Sequence, residues 1–101
     1  MTETGCLSVA ALRAAPDAYL LIDVRGPDEF AAAHIPGARN IPLERLAEEA
    51  ASLPHGRRPV AVCGKGGGRS AEGAELLRAA GRSDAVWLCG GTNAWLDSQT
   101  L

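Results

Sequence analysis

The chain has 101 residues, 47% of them hydrophobic and 22% charged, with a formal net charge of −2. These values exclude a disordered tail, a second sizeable core and a broad cationic face for nucleic acid or an anionic membrane, so one packed domain over residues 1–101 is expected. No apolar run approaches the ~20 residues of a membrane span, and the start Met1-Thr2-Glu3 lacks the basic and apolar regions of a secretory leader, which points to a cytoplasmic protein.

Short apolar runs alternate with Ala/Leu/Glu/Arg-rich stretches. Cys6-Leu7 opens a brief strand, and Ser8 caps a helix over residues 9–15 that stops at Pro16-Asp17. Residues 19–24 are too few for a helix and too uniformly apolar for an edge strand, so they read as a buried central strand. Gly26-Pro27-Asp28-Glu29 starts a helix, with proline in the first turn and carboxylates facing the positive end of its dipole. Two prolines, Pro36 and Pro42, leave room between them for only a turn and a short strand near a sheet edge. Residues 43–52 read as a helix with Leu46, Ala47 and Ala50 on its apolar face, ended by Pro54-His55-Gly56. A second buried strand covers residues 59–63. A helix follows over 69–80, with Ala74 and Leu77 inward and Gly81 as its cap. Residues 84–89 form a third apolar strand, Gly90-Gly91 a turn, and Thr92 leads into a last helix. This alternation implies an α/β fold built on a parallel sheet with helices on both faces.

Three cysteines are an odd number, with no Cys-x-x-Cys pair and no close histidine. Neither a disulfide framework nor a zinc site is expected, and no metal or cofactor is assigned. One reactive thiol is expected instead.

That thiol is Cys63. The segment Cys63-Gly64-Lys65-Gly66-Gly67-Gly68-Arg69-Ser70 joins a buried strand to a helix, and ligands of open α/β sheets bind at the carboxyl ends of strands. Four glycines in five positions let the backbone turn its N–H groups inward, while the next helix aims its positive end at the same point. These dipoles, with Lys65 and Arg69, favour the thiolate, the nucleophilic form. Arg69 has the fork geometry to clamp two oxygens of an oxyanion, whereas Lys65 acts as a movable point charge. The lysine is not followed by Ser or Thr, so the loop is not a nucleotide-binding P-loop.

At these residues the chain resembles the rhodanese-like domains. The resemblance is carried by the cysteine loop, by Leu21-Ile22-Asp23-Val24-Arg25 with Glu29-Phe30, by His34-Ile35-Pro36-Gly37-Ala38 with Asn40-Ile41-Pro42, and by Gly90-Gly91-Thr92-Asn93-Ala94-Trp95. It implies a five-stranded parallel sheet flanked by helices and a sulfurtransferase activity. Cys63 would take sulfur from thiosulfate or a similar donor as a persulfide and pass it to cyanide or a thiol, with a sulfur-carrier protein among the candidate partners. Gly64 to Ser70 would bind the anion, with Lys65 placed like a residue that holds the donor's sulfonate in some members. Two departures stand out. Most sulfurtransferases of the family have one residue fewer between the cysteine and the loop arginine than the five found here. The longer spacing occurs in cell-cycle phosphatases and arsenate reductases of the superfamily, which makes phosphatase or arsenate reductase chemistry the alternative. That alternative lacks a proton donor, since the loop has no carboxylate and Val62 stands where phosphatases carry histidine. The second departure is Ala33, where the family carries glycine.

Asp23 and Arg25 end a central strand beside Cys63 and read as an ion pair between strand ends, with Arg25 equally placed to support the pocket. His34 reads as holding a turn through a hydrogen bond, and His55 as an exposed loop residue. Cys89, at the same sheet edge as Cys63, reads as a small core residue, with resolving the persulfide or forming a disulfide under oxidation as the alternatives; Cys6 carries no function, and Trp87 and Trp95 pack the core.

Overall fold

A computed structural model describes residues 5–99; the start at Met1-Thr2-Glu3 and both expected domain limits lie outside them. Five strands, β1 (Cys6–Leu7), β2 (Tyr19–Asp23), β3 (Arg39–Asn40), β4 (Arg58–Val62) and β5 (Val86–Leu88), form one sheet in the order β1-β5-β4-β2-β3. Every pairing is parallel, and β2 lies against β4 with Ile22 opposite Ala61 and Asp23 opposite Val62. The chain leaves β2 toward β3 on one side and returns across the sheet to β4 on the other. Their carboxyl ends therefore diverge at a switch point, which is where a crevice opens in such sheets.

Five helices accompany the sheet: α1 (Val9–Ala14), α2 (Pro27–Ala32), α3 (Leu43–Glu49), α4 (Gly68–Ala79) and α5 (Gly91–Ser98), of which α2 buries no residue. Their ends follow the local chemistry. Ser8 Oγ accepts from Ala11 N at 3.0 Å to cap α1, and Glu29 Oε1 accepts from Gly26 N at 3.3 Å at the start of α2. At the end of α4, Gly81 takes φ +102° and donates to Arg78 O, while Arg82 N donates to Leu77 O.

Alternate strand residues feed two cores. Leu20, Ile22 and Ala61 pack with Leu46 and Leu77 under α3 and α4, whereas Leu21, Val60, Val62 and Leu88 pack with Leu12 and the partly buried Trp95 under α1 and α5. Burial on both faces is why β2 and β4 read as continuous apolar runs and not as alternating ones. Trp87 packs against the first core, partly buried.

Three expectations change. Ala47 is exposed while Leu46 and Ala50 are buried, because Ala47 lies about 100° round the helix from Leu46 whereas Ala50 falls on its face. The same segment tightens into a 3₁₀ turn at Ala50–Ser52 and does not continue as α-helix. Cys6 and Cys89 are joined by a disulfide, with Cα atoms 5.1 Å apart, so Cys89 is not a simple core residue and Cys6 is not idle. Pairing of β1 with β5 brings them together: Leu7 sits opposite Leu88, and Cys89 N donates to Leu7 O at 2.8 Å. Cys63 is the free cysteine.

Candidate active site

Cys63 follows the last residue of β4 and stands at the crevice, 4% exposed. Its Sγ lies 3.4 Å from Gly67 O and 3.3 Å from Ser70 Oγ. Ser70, fully buried in the first turn of α4, donates its own hydroxyl to Gly67 O at 3.0 Å. Ser70 therefore supports the sulfur from below and does not line the opening. The loop between them runs through three consecutive positive φ values, +85° at Gly66, +68° at Gly67 and +44° at Gly68, a path that side chains with a Cβ rarely follow.

A second glycine turn holds this loop in place. Thr92 N donates to Cys63 O at 2.8 Å and Asn93 N to Gly64 O at 2.9 Å, both from the first turn of α5. The approach is so close that a Cβ on Gly91 would collide with the carbonyl oxygens of Cys63 and Gly64, and one on Gly66 would lie 2.7 Å from Gly90 N. Among the described residues, the N–H groups of Gly64, Lys65, Gly66 and Gly67 donate to no protein acceptor. Unfilled donors around a sulfur at a helix N-terminus are the materials of an anion cradle. The cavity above them measures about 420 Å³ and is lined by residues 63 to 69 together with Asn93.

The charged residues occupy different depths. Lys65 is exposed on the cavity rim. Arg69 also lines the cavity, yet its Nη1 and Nη2 are tied to Glu29 Oε1 and Oε2 at 2.9 and 3.2 Å, with both side chains about half exposed. That fork holds the Glu29 carboxyl down at about 2, Arg69 contributing most and the Gly26 N–H next, and it raises the Arg69 guanidinium above its ordinary value. Asp23 and Arg25 form a second fork, with Nε to Oδ1 at 2.9 Å and Nη2 to Oδ2 at 2.8 Å, fully buried on the Asp23 side. Arg25 goes on to donate to Ala33 O at 2.7 Å, and Asn40 Nδ2 bridges the carbonyls of Asp23 and Arg25. Arg25 is raised as well, chiefly by its hydrogen bonds to Asp23. The pair secures the chain leaving β2 and is not part of the cavity lining. His34 Nδ1 donates to Phe30 O at 2.7 Å and its ring stacks on Phe30, closing the end of α2 away from the thiol.

Two residues at the site stand in the motifs that carry the resemblance but are given no role there. Asn93 lines the cavity, and Glu29 engages the loop arginine. The signal for Glu29 was present as the acidic third residue of a helix, but its partner lies 40 positions away.

The family model for the rhodanese-like domain matches residues 8–98, and the chain belongs to that family. A Mycobacterium tuberculosis protein named probable adenylyltransferase/sulfurtransferase MoeZ is 49% identical over 77 residues, 74% of this chain and 19% of that protein. The chain spans between 19% and 59% of the first curated relatives it matches. Among solved structures, a rhodanese-related protein from Thermoplasma volcanium superposes with TM-score 0.83 at 29% identity, covering 94% of this chain and 93% of its own. The human single-domain sulfurtransferase TSTD1 does so with TM-score 0.78 at 28% identity, covering 94% and 97%. No helix among the described residues is long and apolar enough to cross a membrane.

Proposed function

We propose that residues 1–101 act as a sulfurtransferase domain in which Cys63 carries the transferred sulfur. The observation that supports this most directly is a buried thiol in a cavity lined by residues 63 to 69, of which residues 64 to 67 have backbone N–H groups with no acceptor among the described residues. The Cys63 thiolate attacks the outer sulfur of thiosulfate or a similar donor. A bond forms between the two sulfurs, the donor's S–S bond breaks, and its electron pair leaves on sulfite. Cyanide or a thiol then takes the outer sulfur, and the Cys63 pair returns as thiolate. No net oxidant or proton donor is required, which suits a cavity without a carboxylate in its lining.

Each residue has a task in this scheme. The N–H groups of residues 64 to 67 stabilise the anionic persulfide and the departing sulfite, and Lys65 attracts the donor from the rim. The Ser70 hydroxyl, 3.3 Å from the sulfur, turns from Gly67 O to donate to the thiolate once the proton has left. A cellular thiol would serve as acceptor, and a sulfur-carrier protein is a further candidate partner.

The test is thiocyanate formation from thiosulfate and cyanide. Wild-type protein turns over, Cys63→Ser falls to background, and mass spectrometry finds one added sulfur on the Cys63 peptide; turnover that survives the substitution refutes the assignment. The five-residue spacing from Cys63 to Arg69 favours one second reading, phosphatase or arsenate reductase. Robust hydrolysis of an aryl phosphate, or arsenate reduction with a thiol, combined with negligible thiocyanate formation would put it first.

A further inference from the structure

We infer that Glu29 is a specificity-determining residue that turns the Cys63 cavity away from doubly charged tetrahedral oxyanions by holding Arg69. The inference rests on the reading of residues 63 to 69 as an anion cradle. Arg69 is the residue of that lining best suited to grip two oxygens of phosphate, arsenate or a sulfonate, since its fork matches their spacing. In this protein the end-on fork is already occupied: Nη1 and Nη2 meet the two oxygens of Glu29. Glu29 is itself held in position, because Oε1 also accepts from Gly26 N at the start of α2. A neutral Arg69–Glu29 pair therefore stands at the rim where a free cation would otherwise stand.

An entering dianion must displace Glu29 to gain the guanidinium. A singly charged donor that offers only a sulfane sulfur, such as an alkyl persulfide, has no need of it, because the attacked sulfur meets Cys63 and the loop N–H groups directly. In that transfer the thiolate bonds the outer sulfur, the donor's S–S bond breaks and its pair leaves on the alkyl thiolate. The longer loop makes room for a tetrahedral anion while Glu29 withholds its strongest ligand. The Arg69–Glu29 pair accordingly weakens the hold on thiosulfate and other tetrahedral dianions and leaves singly charged donors of the second kind unaffected.

The test uses Glu29→Gln, which keeps the side-chain acceptor for Gly26 N and removes the charge. Inorganic phosphate is titrated into wild type, Glu29→Gln, Arg69→Ala and the double variant, followed by calorimetry without turnover. With the exposed fork released, phosphate should bind Glu29→Gln about fivefold more tightly than wild type. In the Arg69→Ala background the Glu29→Gln gain should vanish. With turnover, KM for thiosulfate should fall in Glu29→Gln while kcat does not rise and KM for an alkyl persulfide stays unchanged. Unchanged or weaker phosphate binding, no detectable binding by either protein, an equal gain without Arg69, or equal falls in both KM values would each overturn the inference. Failure of the sulfurtransferase reading is seen separately, as absent thiocyanate formation while the phosphate titrations stand.

Discussion

Two cysteine regions of the sheet are built on opposite principles. Where edge strand β1 pairs with its neighbour β5, Cys6 and Cys89 close the chain covalently across a sequence separation of 83 residues. At the central crevice, Cys63 is free and buried, packed into the core with its sulfur beside Gly67 O and Ser70 Oγ. Gly90-Gly91 joins the two regions, since it follows Cys89 directly and grips the loop that carries Cys63. A sulfur at the rim of the sheet serves as a brace, whereas one at the switch point faces a cavity and a helix dipole. Position, and not residue type, separates their roles.

The sharpest way to break this contrast is to exchange the sulfur chemistry. Cys63→Ser should abolish sulfur transfer yet lower stability by no more than about 1 kcal/mol, because the hydroxyl is nearly isosteric and retains Gly67 O and Ser70 as partners. Urea denaturation measures this, and a large loss of stability would make Cys63 a structural residue. At the other site, Cys6→Ser should leave turnover per folded molecule intact and cost up to about 4–5 kcal/mol by the chain-entropy relation for so long a loop. Denaturation of wild type with and without a reductant should reproduce that loss; equal stability in both conditions would remove the brace.

The junction gives a smaller effect that reaches both regions. Gly91→Ala puts a Cβ against the carbonyls of Cys63 and Gly64 at a φ of +61°, so it should destabilise by about 1–3 kcal/mol. It should also cut thiocyanate formation by more than tenfold; full activity would show that the loop does not depend on this turn. The smallest effect is electrostatic. Glu29 is depressed from 4.5 to about 2, so the stabilisation from its pair with Arg69 is complete above 4.5 and is lost as pH falls through about 2. Wild type should thus exceed Glu29→Gln in thermal midpoint by a constant margin from pH 5 to 8, and the margin should close between pH 4.5 and 2. A margin that changes between pH 6 and 8 would assign the effect to another group.

Much of this architecture was legible along the chain because its causes are local. A run of apolar residues such as Leu20-Leu21-Ile22 must be buried on both faces, Ser8 supplies the cap its helix lacks, and consecutive glycines after Cys63 permit the positive φ values that the loop adopts. Ala47 misled because neighbours in sequence stand about 100° apart on a helix, a distinction that a short, alanine-rich segment blurs.

By itself, then, the amino-acid sequence determined the alternation of elements, the parallel sheet with helices on both faces, and the placing of a thiol in a glycine loop at a strand end. Those outcomes follow from hydrophobic periodicity, capping and backbone freedom within a dozen residues. Only the tertiary structure decided which groups meet across the chain: Cys6 with Cys89 through the pairing of β1 and β5, Gly91 with the Cys63 carbonyl, and Arg69 with Glu29 across the crevice. Each contact depends on strand order and helix placement, which arise when the entire sheet closes and leave no periodic trace in the residues that make them.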